Sequence, residues 1–158
     1  MLDETLAKTF LDFDAMIAVL PQLLQTGLIN TVVISVSATV IGIVLGMIVA
    51  VMGISPSRWL RIPARMYTDL FRGLPAILTI LLIGQGFARF SQEIFGPSPY
   101  PLGIIALSLI ASAYIGEIFR AGIQSVERGQ LEACRALGMS YSRAMALVVI
   151  PQGIRLQM

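Results

Sequence analysis

Residues 28–52 read LINTVVISVSATVIGIVLGMIVAVM, and this stretch contains no ionisable side chain. A helix rises ~1.5 Å per residue, and crossing the hydrocarbon core of a bilayer takes about 20 residues. The stretch is therefore long enough and apolar enough to span a membrane. Gly73 to Ala88 and Pro101 to Gly116 are shorter uncharged windows, which Phe90 and Phe119 extend towards the interfaces. The whole chain fits this pattern. Of its 158 residues 56% are hydrophobic and 13% charged, and its mean hydropathy of +0.84 is far above that of a water-soluble domain. The expected fold is an all-α integral membrane protein forming a single domain over 1–158. Its parts are an extracytoplasmic amphipathic segment (1–27), span 1 (28–52), a cytoplasmic loop (53–72), span 2 (73–92), an outer turn (93–100), span 3 (101–119) and a cytoplasmic segment (120–158).

The placement of charge sets the topology. Before the first span Lys8 faces Asp3, Glu4, Asp12 and Asp14. Arg58, Arg61, Arg65 and Arg72 lie between the first two spans, and Arg120, Arg128, Arg135, Arg143 and Arg155 follow the third, while Arg89 falls on the opposite side near Glu93. Arginine collects on the cytoplasmic side of membrane proteins, so the N-terminus is expected outside and both arginine-rich segments inside. Arginines flanking apolar spans are explained by topology, and no nucleic-acid surface is expected. The first residues lack the basic start and short apolar core of a cleavable leader. Phe10, Phe13, Ile17, Leu20 and Leu24 recur at helical spacing, which predicts an amphipathic helix on the outer surface.

Composition also removes several chemistries. One cysteine excludes an internal disulfide, and the absence of histidine argues against zinc sites and the usual hydrolytic triads. With no phosphate-binding loop, the chain is not expected to be an enzyme or to hold a cofactor or metal. Any ATP used would be bound and hydrolysed by another subunit. Within span 1, Ser35, Thr39, Gly42, Gly46 and Ala50 share a helical face, and small residues at that spacing let helices approach closely in lipid. Ser108, Ser112 and Gly116 form a similar stripe in span 3. Pro56 and Pro63 mark the first cytoplasmic loop, where Trp59 is placed to anchor at the interface. Gly73 and Pro75 mark the start of a helix, and Gly96-Pro97-Ser98-Pro99-Tyr100-Pro101 reads as a tight outer turn.

Charges near the membrane interior face protein or water rather than lipid. Glu117 is the acid nearest that interior, with Arg72 at similar depth, so Glu117 is expected to pair with Arg72 or with Arg120 near the inner mouth. The alternative is that Glu117 contacts solute or gates its path. Asn30, Ser35, Ser37, Thr79, Gln85, Ser108, Ser112 and Tyr114 are polar positions in the spans, most of them expected to bond their own or a neighbouring helix. Ser112 and Tyr114, beside the small-residue stripe, are the preferred candidates for lining a path, together with Glu117 and Arg72 as a gate. The methionines are ordinary membrane-core filler.

The cytoplasmic segment contains Glu132-Ala133-Cys134-Arg135-Ala136-Leu137-Gly138-Met139-Ser140, closed by Val148-Val149-Ile150-Pro151. Leu131, Cys134 and Leu137 fall on one side of a short helix, and Glu132 and Arg135 are close enough to pair weakly. Gly138 stands where a helix ends in a left-handed residue, Ser140 is placed to cap the next helix, and Pro151 to end its apolar run. The reading is helix, sharp turn, helix: a knob suited to a groove on another protein. Cys134 is expected to act as a small buried hydrophobe.

The pattern Glu132-Ala133-Cys134, Gly138, Val148-Val149-Ile150-Pro151 resembles the coupling-loop signature of bacterial ABC importer permeases, with Cys134 in place of the second alanine. Ala113-Tyr114-Ile115-Gly116-Glu117-Ile118-Phe119-Arg120-Ala121-Gly122 and Phe71-Arg72-Gly73-Leu74-Pro75 resemble the polar amino-acid uptake branch, in the same order and spacing. Glu127 departs from it, since relatives commonly have proline there. The resemblance implies a type I importer permease fold in the cytoplasmic (inner) membrane. It implies that Glu132, Ala133, Cys134, Gly138 and Pro151 belong to a loop that docks on ABC ATPase subunits. It also implies an identical or sister permease subunit, an extracytoplasmic solute-binding protein and a polar amino acid as solute. Relatives continue past the proline with further spans, so the chain is expected to be a fragment of a longer permease or a truncated form. The alternative functions are a membrane adaptor that binds the ATPase without transporting, and, last, a passive channel.

Overall fold

The computed structural model describes residues 12–156, and every regular element among them is helical. They divide into two compact units at Val36/Ser37. In the first, Asp12 Oδ1 accepts from the Ala15 N–H at 3.0 Å and caps α1 (Phe13–Gln22). A π turn at Leu23–Gly27 leads into α2 (Leu28–Ile54). Phe13, Ile17, Leu20 and Leu24 are all exposed. The segment expected to be an amphipathic helix is helical, and it continues without a break into α2. Lys8 and Phe10 lie outside the described residues.

The second unit is built around α6 (Tyr100–Ser125). The part of α2 from Ser37 onward, α3 (Arg58–Gly73), α4 (Ala76–Gly86) and α9 (Ile150–Arg155) all pack on α6. Short α5 (Ala88–Phe95) bridges α4 and α6 and is followed by a turn in which Gly96 takes φ 74°. Small residues decide how close the helices come. On α2 the buried face is Ala38, Gly42, Gly46, Ala50 and Gly53, so the stripe begins at Ala38, whereas Ser35 and Thr39 are exposed. A Cβ on Gly46 would stand 3.0 Å from the Ser112 carbonyl oxygen and the Gly116 nitrogen, so helix backbones touch there. The tightest approach is at Gly153, where a Cβ would lie 2.6 Å from Ile123 Cα.

The stretch 53–72, expected to be a loop, is largely α3. Pro63 sits inside that helix, and Leu74 turns extended before Pro75, as residues preceding proline prefer. The chain bends there by 105° between α3 and α4. The stretch Phe13–Ile54 and α6 are each long and apolar enough to cross a membrane, and the bent α3–α4 pair raises the number of spans to as many as three.

Two local expectations need correction. Pro151 does not end its helix: α8 (Tyr141–Ala144), a π turn at Met145–Val149 and α9 run on through it. The wider turn before Pro151 accommodates a ring and a missing N–H that a regular α-helix would reject. Ser140 does occupy the position before α8, but its side chain makes no capping bond; its carbonyl accepts from Ala144 N–H at 3.0 Å.

Candidate functional site

The knob is α7 (Arg128–Ala136), its turn and α8. Its base is apolar: Ile123, Met145 and Val149 form a buried cluster against which Leu131, Ile54, Val126 and Ile150 pack. Cys134 is 7% exposed, the small buried hydrophobe expected of it. Leu137 does not share that side. It is 83% exposed at the tip, beside exposed Glu132, Ala133 and Arg135. Glu132 and Arg135 form no ion pair in the structure.

Gly138 has φ +80°, a left-handed conformation that glycine adopts without penalty. The Gly138 N–H donates to the Arg135 carbonyl at 3.0 Å, and the Met139 N–H donates to the Cys134 carbonyl at 3.0 Å. These are the two bonds of a Schellman turn, and they satisfy carbonyls that the end of α7 would leave open. Because the base is packed and the turn is hydrogen-bonded, the exposed tip is a stiff feature. Pro151 is also exposed, further along the same helical hairpin.

The second group of candidates lies where α2, α3 and α6 converge. A pocket of about 200 Å³ is lined by Arg65, Thr68, Asp69 and Arg72 from α3 and by Gly116, Glu117 and Arg120 from α6. Of the two expected pairings, Glu117 takes the one with Arg120: Arg120 Nε donates to Glu117 Oε2 at 3.0 Å, and a second bond joins Arg120 Nη2 to Glu117 Oε1. Arg120 Nη1 also donates to Gln124 Oε1. Arg72 instead lies over the Tyr114 ring, 5.5 Å from its centroid, an attraction between cation and π-face. The structure thus brings Arg72 and Glu117 to one pocket and places Tyr114 beside it.

Ser112 does not line an open path. It is fully buried, with its hydroxyl 2.6 Å from the Tyr67 hydroxyl, and both reach the Leu109 carbonyl. Its geometry fixes α3 to α6. Thr79 and Ser91 are buried with hydroxyls that find no partner among the described residues. Sequence reasoning missed Tyr67, Arg65, Asp69 and Gly153 as site or packing residues, Arg65 having been read only for topology. The first three belong to a segment taken for a loop. For Gly153, the signal was a glycine two residues after a helical proline.

The chain matches the family model of the binding-protein-dependent transport system inner membrane component over residues 42–158. It belongs to that family. Among the relatives of this inner membrane component, the glutamate/aspartate import permease protein GltK of Escherichia coli is 38% identical over 152 residues, covering 91% of this chain and 66% of the relative. The arginine transport system permease protein ArtQ of Bacillus subtilis is 36% identical over 145 residues, covering 92% and 65%. A solved structure, described as the crystal structure of an amino acid ABC transporter with histidines, superposes with a TM-score of 0.75 at 38% identity, covering 90% of this chain and 65% of that one. The chain spans a little under two thirds of the length of these relatives.

Proposed function

We propose that the chain is the membrane-spanning permease part of an ATP-binding-cassette importer that carries a polar amino acid across the cytoplasmic membrane. The observation that carries this reading is the rigid exposed tip: Glu132, Ala133 and Leu137, held by the Gly138 turn on a packed base. A stiff projection can transmit a rigid-body displacement, which a flexible loop would absorb. In this reading the tip docks on separate ATPase subunits, which bind and hydrolyse the ATP. An identical or sister permease subunit completes the path, and an extracytoplasmic binding protein delivers the solute. The relatives named for glutamate/aspartate and for arginine support a polar amino acid as the solute. The arginine distribution supports a topology with the N-terminus outside and both 53–72 and 120–158 inside. Glu117 and Arg72, at the inner-mouth pocket, act at the cytoplasmic gate, where closing and opening of the ATPase pair shifts the permease between two states. The chain itself contributes no catalytic group and no cofactor or metal.

The test is purification of the tagged protein from its native membrane in mild detergent, with mass measurement of everything recovered. An ATP-binding-cassette subunit in stoichiometric amount, lost on Leu137→Asp, is the expected result. Recovery of the protein with no ATPase subunit would overturn the reading.

A further inference from the structure

Helix α3 has three faces. Ala64, Thr68 and Tyr67 turn towards α6, where Tyr67 bonds at Leu109 and Ser112. A second face carries Trp59, Ile62, Met66 and Leu70 at spacings of three and four, and all four are exposed, Trp59 at 90%. A third carries Arg58, Arg61 and Arg65, the last of which also lines the inner-mouth pocket. The 105° bend at Leu74-Pro75 sets α3 roughly crosswise to the apolar helix α4. With α4 directed across the bilayer, α3 lies close to the membrane plane.

We propose that α3 is an in-plane membrane-surface helix that binds anionic phospholipid, its apolar face in the acyl region of the inner leaflet and Arg58 and Arg61 on the headgroup phosphates. Three observations converge on that occupant. The apolar face is continuous in chain with an apolar helix and is left exposed by the described residues. The arginines border it, as in helices that lie in an interface and favour negative lipid. Arginine also matches a phosphate with paired N–H donors. A protein partner would explain the apolar face alone, whereas lipid explains the apolar face, the arginines and the bend together. This inference does not depend on the transport reading.

Trp59 is the chain's sole tryptophan, so its fluorescence reports on this face without engineering. The purified chain is reconstituted in phosphatidylcholine vesicles containing a fixed fraction of either brominated phosphatidylcholine or brominated phosphatidylglycerol, both brominated high in the acyl chain. The expected result is quenching by both lipids, stronger by about twofold or more for phosphatidylglycerol, since each arginine near an anionic surface favours it. R58Q/R61Q should bring that ratio close to one while the helical circular dichroism is unchanged. Equal quenching by the two lipids in the wild-type chain would overturn the proposal, as would a ratio unaltered in R58Q/R61Q. Quenching by aqueous iodide but not by lipid would also overturn it. So would shielding from both, which would place a protein on this face.

Discussion

Gly138 and Gly153 both lie in the segment after α6, yet substitution acts on them by different physics. At Gly138 a Cβ would meet nothing within 4 Å, so Gly138→Ala costs only the left-handed backbone, about 1 kcal/mol. At Gly153 the backbone conformation is ordinary helix, but the Cβ would fall against the backbone of Ile123 and Gly122. Backbone cannot turn aside as a long side chain can, so Gly153→Ala forces α9 away from α6, at about 3 kcal/mol or more. Thermal unfolding of the two variants in the same detergent should therefore rank Gly153→Ala clearly below Gly138→Ala, which should remain near wild type. The reverse order would show that the α9–α6 contact is not as close as described. The transport reading adds a second expectation for Gly138→Ala: ATP hydrolysis persists while uptake falls. Unchanged uptake would remove the turn from the coupling mechanism.

At the scale of elements, α7 with its turn places its apolar residues on opposite sides. Leu131 and Cys134 hold the base, while Leu137 stands free at the tip, so the two sets should respond differently to substitution. Leu137→Asp removes no packing contact and should leave the unfolding midpoint within about 0.5 kcal/mol of wild type, as surface changes do. Its effect should instead be loss of the ATPase subunit from the purified complex. A variant that unfolds early, or one that retains the subunit, would show that the tip is not the docking point. Part of this element was legible from sequence. The glycine stop at Gly138 and the burial of Cys134 follow from local rules, because helix ends and short amphipathic turns are set by neighbours in the chain. The π turn before Pro151 was not legible, because a wide turn has no distinctive residue pattern and proline normally signals a stop. Helix α3 was missed for a related reason. Pro56, Pro63 and the arginines read as loop, although Trp59, Ile62, Met66 and Leu70 already carried the helical period. On α2 the spacing rule found Gly42, Gly46 and Ala50 but continued the stripe one position off, to Thr39 instead of Ala38. From Gly42 a step of three leads to Thr39 and a step of four to Ala38; both are compatible with a period of 3.6, and the contact with α6 decides which residue is covered.

For the molecule as a whole, the uncharged windows were enough to identify helices that cross a membrane, because a bilayer tolerates few alternatives. Their direction across it is a separate matter, and the arginines are what bear on it. If the positive-inside distribution governs, residues 120–158 face the cytoplasm and the turn around residues 93–100 faces outward. The single native cysteine makes this measurable, since Cys134 is buried and is readily replaced by alanine to give a thiol-free background. In that background Leu137→Cys, at the exposed tip, and Glu93→Cys, exposed near the opposite turn, each present one reactive thiol. A charged maleimide cannot cross lipid. It should label Leu137→Cys in inside-out vesicles and leave it unlabelled in intact cells stripped of their outer barrier. Glu93→Cys should show the opposite pattern. The control is complete labelling of both after detergent. If both variants label from the same side, the segment between them, including α6, does not cross the bilayer. If both patterns are reversed, the orientation drawn from the arginines is wrong, and the tip formed by Leu137 and Gly138 faces away from any cytoplasmic ATPase.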